Sequence, residues 1–156
     1  MKTKKVNTLK LYSSKLSGFS YVELMVVIAI LAILLIGLLG NYFNQIKKGQ
    51  DAKRKKDLNL LRTALEDYSD DNNQYPDVAD MVCGSTALSP WIKEVPCEPG
   101  NESYLYQTNG VTFYRIYTQL SIDSDPAIEQ VGCDGGCPNA PSSEYNYGIT
   151  SGNVAL

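Results

Sequence analysis

Gly18-Phe19-Ser20-Tyr21-Val22-Glu23-Leu24, followed by the apolar run Met25–Leu39, decides how this chain folds. From Phe19 to Leu39 the only charge is Glu23. As a helix, 21 residues reach roughly 31 Å at 1.5 Å per residue, the thickness of a bilayer core. The pattern therefore predicts a membrane helix over residues 19–40. A charge at the centre of such a helix costs on the order of 3 kcal/mol, and less near its end. Glu23 sits near the end, in the first turn, where the helix dipole favours a carboxylate. Gly37 and Gly40 are weak points, because glycine costs about 1 kcal/mol against alanine in a helix interior. They also suit close helix–helix contact in a membrane.

Upstream of Gly18 the chain is basic. Residues 1–18 hold Lys2, Lys4, Lys5, Lys10 and Lys15 and no acid. A secretory signal peptide carries its apolar block before its cleavage site. Here the apolar block follows Ser17-Gly18, so the order is reversed. Downstream, residues 47–56 add Lys47, Lys48, Lys53, Arg54, Lys55 and Lys56 against Asp51. Five basic residues on one flank and six on the other leave the positive-inside rule undecided. The cysteines decide it, since all four lie C-terminal to the apolar run. They place the N-terminus in the cytoplasm and the C-terminal part in an oxidising compartment.

Helical spacing continues beyond the membrane segment. Tyr42, Phe43 and Ile46 extend the apolar face, and Leu58, Leu61, Ala64, Leu65 and Tyr68 recur at three- and four-residue steps. Asp70-Asp71-Asn72-Asn73 and then Pro76 end the pattern. One helix is predicted from about Ser20 to about Ser69. The remainder reads as loops and short strands. Ser103–Thr108 and Val111–Leu120, joined by Asn109-Gly110, predict a hairpin with a two-residue turn. A last strand is predicted at Tyr145–Thr150, after a polar loop from Asp123 to Ser143. The expected fold class is α+β: a long N-terminal helix whose outer half packs on a small antiparallel sheet. The expected division is 1–18, 19–40, 41–72 and 73–156.

The net charge of −3 conceals an asymmetry. From Asp57 onward there are three basic and fifteen acidic residues, a net of −12. Such a body does not suit nucleic acid, whose phosphates need Lys and Arg. The basic stretch 47–56 suits anionic lipid headgroups, acidic patches on neighbouring subunits, or plain solvation. The chain has no histidine, which removes the commonest general base and metal ligand. No nucleophile–base constellation is visible, so no enzyme is expected. Cys83, Cys97, Cys133 and Cys137 are an even set in a small polar domain, which points to disulfides. Zinc fits their spacing poorly. The pairing Cys83–Cys97 with Cys133–Cys137 closes the shortest loops, and two other connectivities stay open. Asp123, Asp125, Glu129 and Asp134 crowd one loop, and oxygen-rich loops suit calcium. Asp123, Asp125 and Asp134 are the candidate ligands; no cofactor is otherwise required.

The basic leader, Gly18, Phe19, Glu23, Leu24 and the run Met25–Leu39 resemble the cleavage signal of type IV pilins and type II secretion pseudopilins. Asp57-Leu58…Leu61…Ala64-Leu65…Tyr68, Asn72-Asn73-Gln74-Tyr75-Pro76, Val95-Pro96 and Tyr104-Leu105-Tyr106 resemble the major pseudopilin group more diffusely. The resemblance implies a pilin fold and a prepilin peptidase that cleaves after Gly18 and N-methylates Phe19. It implies that Glu23 takes part in filament assembly, where it can meet the free amine of Phe19 on a neighbouring helix. Implied partners are further copies of the chain, minor pilins, the peptidase, an inner-membrane assembly platform and, before assembly, lipid. The implied location is the inner membrane, single-pass, then a periplasmic or surface filament. Pilus, DNA-uptake filament and secretion pseudopilus are not separated by these residues. A membrane-anchored binding or sensor protein that never polymerises is the alternative from another class.

Overall fold

Leucines at 58, 61 and 65 share one helical face, and that face is where the core of the protein forms. The computed structural model describes residues 18–152 and 156, excepting the side chains of residues 37–41. The expectations for the leader at residues 1–17 lie outside the described residues. Helix α1 runs Tyr21–Asn72. The chain divides into two units, residues 1–40 and residues 41–156.

In the first unit α1 begins two residues after Phe19, with Glu23 in its first turn. No helix of the described residues is long and apolar enough to cross a membrane. The described apolar side chains of α1 run from Tyr21 to Ile36, a rise of roughly 24 Å against a bilayer core of about 30 Å. The expected run to Leu39 includes residues whose side chains lie outside the described set.

In the second unit α1 buries Leu58, Leu61, Ala64 and Leu65 against a three-stranded antiparallel sheet. Each fully buried leucine contributes about 1.5–3 kcal/mol over leaving it exposed. The strands are β1 (Leu105–Thr108), β2 (Tyr114–Thr118) and β3 (Tyr147–Thr150), in that spatial order. Tyr106, Ile116 and Ile149 stand in one row across the sheet and are all buried. Asn73 stops α1: its φ of 56° leaves the helical region, and its N–H still donates to the Ser69 carbonyl at 2.8 Å. The helix thus runs three residues past the expected Ser69.

Two local expectations change. The β1–β2 loop covers residues 109–113, not a two-residue turn, because Thr108 pairs with Tyr114. The Asn109 side-chain oxygen accepts from the N–H groups of Val111, Thr112 and Phe113 at 3.2, 2.9 and 3.1 Å. That side chain replaces the backbone bond of a tight turn. The polar loop after Asp123 also holds a short helix, α2 (Pro126–Gln130). Asp125 caps it, accepting from the Ala127 N–H at 2.9 Å, and Pro126 occupies the first position.

β3 tolerates no side chain at Gly148. A Cβ there would lie 2.7 Å from the Ile116 carbonyl oxygen and 3.0 Å from both Leu156 and the Tyr117 ring. Gly148→Ala is therefore expected to cost about 1–3 kcal/mol by overpacking, read as a lower midpoint in urea unfolding.

Candidate assembly site

In the first unit, Gly18 and Phe19 precede the helix and both are exposed. A Cβ at Gly18 would meet nothing within 4 Å, and Phe19 is 84% exposed. Every described side chain from Tyr21 to Ile36 is exposed, on all sides of the helix. A helix apolar all round belongs inside a protein assembly or a membrane. Contiguous exposed apolar surface on this scale marks an interaction site. Glu23 is the one carboxylate set into it, on the exposed first turn of α1.

In the second unit the basic stretch is split by the fold. Arg54 donates to Asp51 at 2.9 Å and to Ser121 Oγ at 3.1 Å. Lys55 forms an ion pair with Asp125. Lys53 donates to the Cys97 carbonyl at 3.1 Å. Lys47, Lys48 and Lys56 remain exposed. Three of the six basic side chains therefore fasten α1 to its own domain and three face solvent.

The expected calcium ligands Asp123, Asp125 and Asp134 line one cavity of about 220 Å³ together with Glu129. Among the described residues, however, no three such groups stand close enough to hold a metal ion. Asp125 is committed elsewhere. The Lys55 ammonium bonded to it holds its carboxyl below the usual carboxylate range. Asp123 accepts from Asn146 Nδ2 at 3.3 Å.

The cysteines form two disulfides, Cys83–Cys97 and Cys133–Cys137, which leaves no thiolate for zinc. The first closes the segment that carries Trp91. The Trp91 ring meets Tyr68 edge-on at 4.9 Å, and its Nε1–H donates to Asp71 at 3.1 Å. The second is buried below α2, where the Cys133 N–H donates to the Ile128 carbonyl at 3.0 Å.

No family model matches the chain, and no solved structure does. Curated relatives do. The chain is 29% identical over 133 residues to the type II secretion system core protein G of Vibrio cholerae serotype O1, covering 78% of this chain and 91% of that protein. It is 32% identical over 100 residues to the core protein G of Aeromonas hydrophila, covering 56% of this chain and 70% of that protein. It is 27% identical over 125 residues to that of Escherichia coli K12, covering 72% and 85%. The chain belongs to this pseudopilin family.

Three carboxylates of the pseudopilin's long helix escaped the sequence reading as structural groups. Asp51 is 2% exposed and accepts from the backbone N–H groups of Ser121 and Ile122 at 2.8 and 3.1 Å. Asp57 accepts from the Tyr104 hydroxyl at 2.9 Å. Glu66 accepts from the Tyr114 hydroxyl at 3.1 Å. Asp51 and Asp57 lie on the face that carries Leu58, Leu61 and Leu65, and their spacing from those leucines was the available signal; Glu66 is half-buried to one side of that face.

Burial pushes up the hydroxyls of Tyr104, Tyr106 and Tyr114, and bonds to Asp57 and Glu66 add to it for Tyr104 and Tyr114. In the unfolded chain tyrosine ionises at about pH 10. The folded values are raised, so the unfolded state releases protons first as pH rises. The stabilisation is full below about pH 10 and is lost progressively above it. The unfolding temperature is expected to be steady from pH 7 to 9 and to fall steeply above 10, in step with tyrosinate absorbance.

Proposed function

We propose that this chain is a subunit of a type II secretion pseudopilus, held in the inner membrane by α1 and then built into a helical filament. Prepilin peptidase cleaves between Gly18 and Phe19 and methylates the new amine. The N-terminus lies in the cytoplasm and the unit from residue 41 in the periplasm. Lipid covers the apolar surface first, with Lys47, Lys48 and Lys56 suited to anionic headgroups. In the filament, helices of neighbouring copies replace lipid around it. Minor pilins and an inner-membrane assembly platform are the other partners.

The observation that supports this reading is the exposed apolar surface from Phe19 to Ile36, entered through an exposed Gly18–Phe19 junction. Such a surface has no stable place in water. The relatives' secretion-system name selects the pseudopilus among filaments. Glu23 is assigned to assembly. Within a packed helix array it meets the Phe19 amine of a neighbour, so that each charge offsets the burial of the other.

Intact mass of the protein from cell envelopes tests processing. The expected species begins at N-methyl-Phe19. A chain that keeps residues 1–18, or that begins after Leu39, overturns the proposal and favours a membrane-anchored protein that never polymerises. Electron microscopy of sheared envelopes from cells expressing the complete secretion machinery tests the filament.

A further inference from the structure

A groove of about 390 Å³ opens in the second unit between α1 and the loop that leads into α2. Lys48, Asp51, Ala52 and Lys55 line its helix side, at three- and four-residue steps that put them on one face. Ile122, Ser124 and Pro126 line the loop side. Ala52 and Pro126 are exposed and Ile122 is half-exposed, so apolar surface is open to solvent on both walls. The charges at the groove do not cancel. Asp51 accepts from Arg54 and from two backbone N–H groups, and Asp125 accepts from Lys55 and from the Ala127 N–H. Both carboxylates are therefore neutralised from within the domain. Lys48 is left over: it is exposed, and among the described residues it takes part in no ion pair or hydrogen bond. Lys55 spends one of the three N–H donors of its ammonium on Asp125 and keeps the others. Ser124 adds an exposed hydroxyl on the facing wall. The other acids of that loop, Asp123, Glu129 and Asp134, line a different cavity.

We infer that this groove holds the headgroup of an anionic phospholipid, its phosphate on Lys48, Lys55 and the Ser124 hydroxyl, its glycerol and first chain carbons along Ala52, Ile122 and Pro126. The occupant follows from charge and polarity together. One unbalanced cation beside open apolar surface matches an anion that carries an apolar part, and a phosphodiester on a diacylglycerol is such an anion. Free inorganic phosphate leaves the apolar walls in water. A zwitterionic lipid brings no net charge to offset Lys48. The volume lies within the range of pockets that hold small ligands, roughly 300–1,000 Å³. Lys48 follows the apolar run Met25–Leu39 by nine positions in the sequence. A lysine so close to a membrane segment is drawn to anionic headgroups. The inference rests on the inner-membrane reading and deepens it. The exposed lysines of α1 are not equivalent, and Lys48 is the one backed by a groove that can hold the rest of the lipid.

Native mass spectrometry of the full chain in neutral detergent tests it, with phosphatidylglycerol and phosphatidylcholine as probes at equal concentration. Phosphatidylglycerol adducts are expected to exceed phosphatidylcholine adducts by about fivefold, the weight of one lysine near an anionic headgroup. Lys48→Gln is expected to cut that preference to about twofold or less. Ala52→Glu sets a carboxylate four residues from Lys48, where it competes for the ammonium, and is expected to abolish the preference. Both positions are exposed, so neither variant is expected to move the unfolding temperature. Lys47→Gln and Lys56→Gln, also exposed but outside the groove, are expected to cost less than half as much as Lys48→Gln. Equal losses from all three lysines, no headgroup preference in the wild type, or displacement of the lipid by inorganic phosphate overturns the inference. In each of those cases a chain recovered in membrane fractions leaves the inner-membrane reading standing. A chain absent from membrane fractions overturns that reading.

Discussion

Asp51→Ala is expected to lower the unfolding free energy of the 41–156 unit by about 3–5 kcal/mol. Asp51 is 2% exposed, and its two oxygens hold three donors: Arg54 at 2.9 Å, Ser121 N–H at 2.8 Å and Ile122 N–H at 3.1 Å. Hydrogen bonds to a charged group contribute about 1.5–3 kcal/mol each. Removing one partner of a buried ion pair costs about 3–5 kcal/mol, because the other charge is left without compensation. Here the residual charge is Arg54, which among the described residues keeps Ser121 Oγ. The two backbone N–H groups lose their acceptor at the point where the chain leaves β2 for α2. Small domains are stable by about 5–15 kcal/mol, so this single carboxylate is a large share. Asp51→Asn keeps one acceptor oxygen and is expected to lose about half as much. Urea unfolding followed by tryptophan fluorescence gives the numbers. A loss below about 1 kcal/mol for Asp51→Ala, well under the range for such pairs, would show that the 121–122 turn is held by other contacts.

The second large effect belongs to the other unit. On the filament reading, Glu23→Ala is expected to leave a cleaved, folded subunit and to reduce filaments at least tenfold. Two forces act on Glu23 with opposite sign. In lipid, removing a carboxylate lowers the cost of residence by up to about 3 kcal/mol. The variant should therefore enter and remain in the membrane at least as well as wild type. In a packed helix array, the same change leaves the Phe19 amine of a neighbour without its counter-charge. A loss of filaments with undiminished membrane level thus isolates the pairing from any defect of insertion. Glu23→Lys sets two cations together and is expected to be at least as severe. The measurement is filament yield beside subunit level and intact mass. Normal filaments from Glu23→Ala would remove this carboxylate from assembly.

These two carboxylates also mark how far the chain could be read before it was folded. Glu23 stands out in one dimension because every neighbour is apolar, so its oddity needs no tertiary knowledge. Asp51 is inconspicuous in one dimension. It lies among six basic residues and reads as a minor offset to their charge. Only the return of residues 121 and 122 to the side of α1 turns it into a buried acceptor. The same return divides the basic stretch. Lys53, Arg54 and Lys55 are consumed within the domain, and Lys47, Lys48 and Lys56 stay exposed. The acidic loop changed in the same way. Asp123, Asp125 and Asp134 share a cavity, but Lys55 claims Asp125 from 70 residues away.

Local signals were strong where the physics is local. The long helix follows from side-chain spacing and ends where Asn73 adopts a left-handed conformation. The strands follow from tyrosine-, isoleucine- and threonine-rich runs. The β1–β2 loop departs from the expected two-residue turn because Asn109-Gly110 favours a tight turn by backbone geometry, while the Asn109 side chain can satisfy three following N–H groups instead. Which of those wins depends on register, and register is set by burying Tyr106, Ile116 and Ile149 together.

By itself the sequence determined the apolar helix, the Gly18–Phe19 junction that precedes it, the lone carboxylate in its first turn and the α+β class. Each of these depends on spacing within a few residues. Tertiary structure alone decided which charges are spent inside the domain and which remain on its surface. Those outcomes depend on contacts between residues dozens of positions apart, and no local pattern encodes the distance between them.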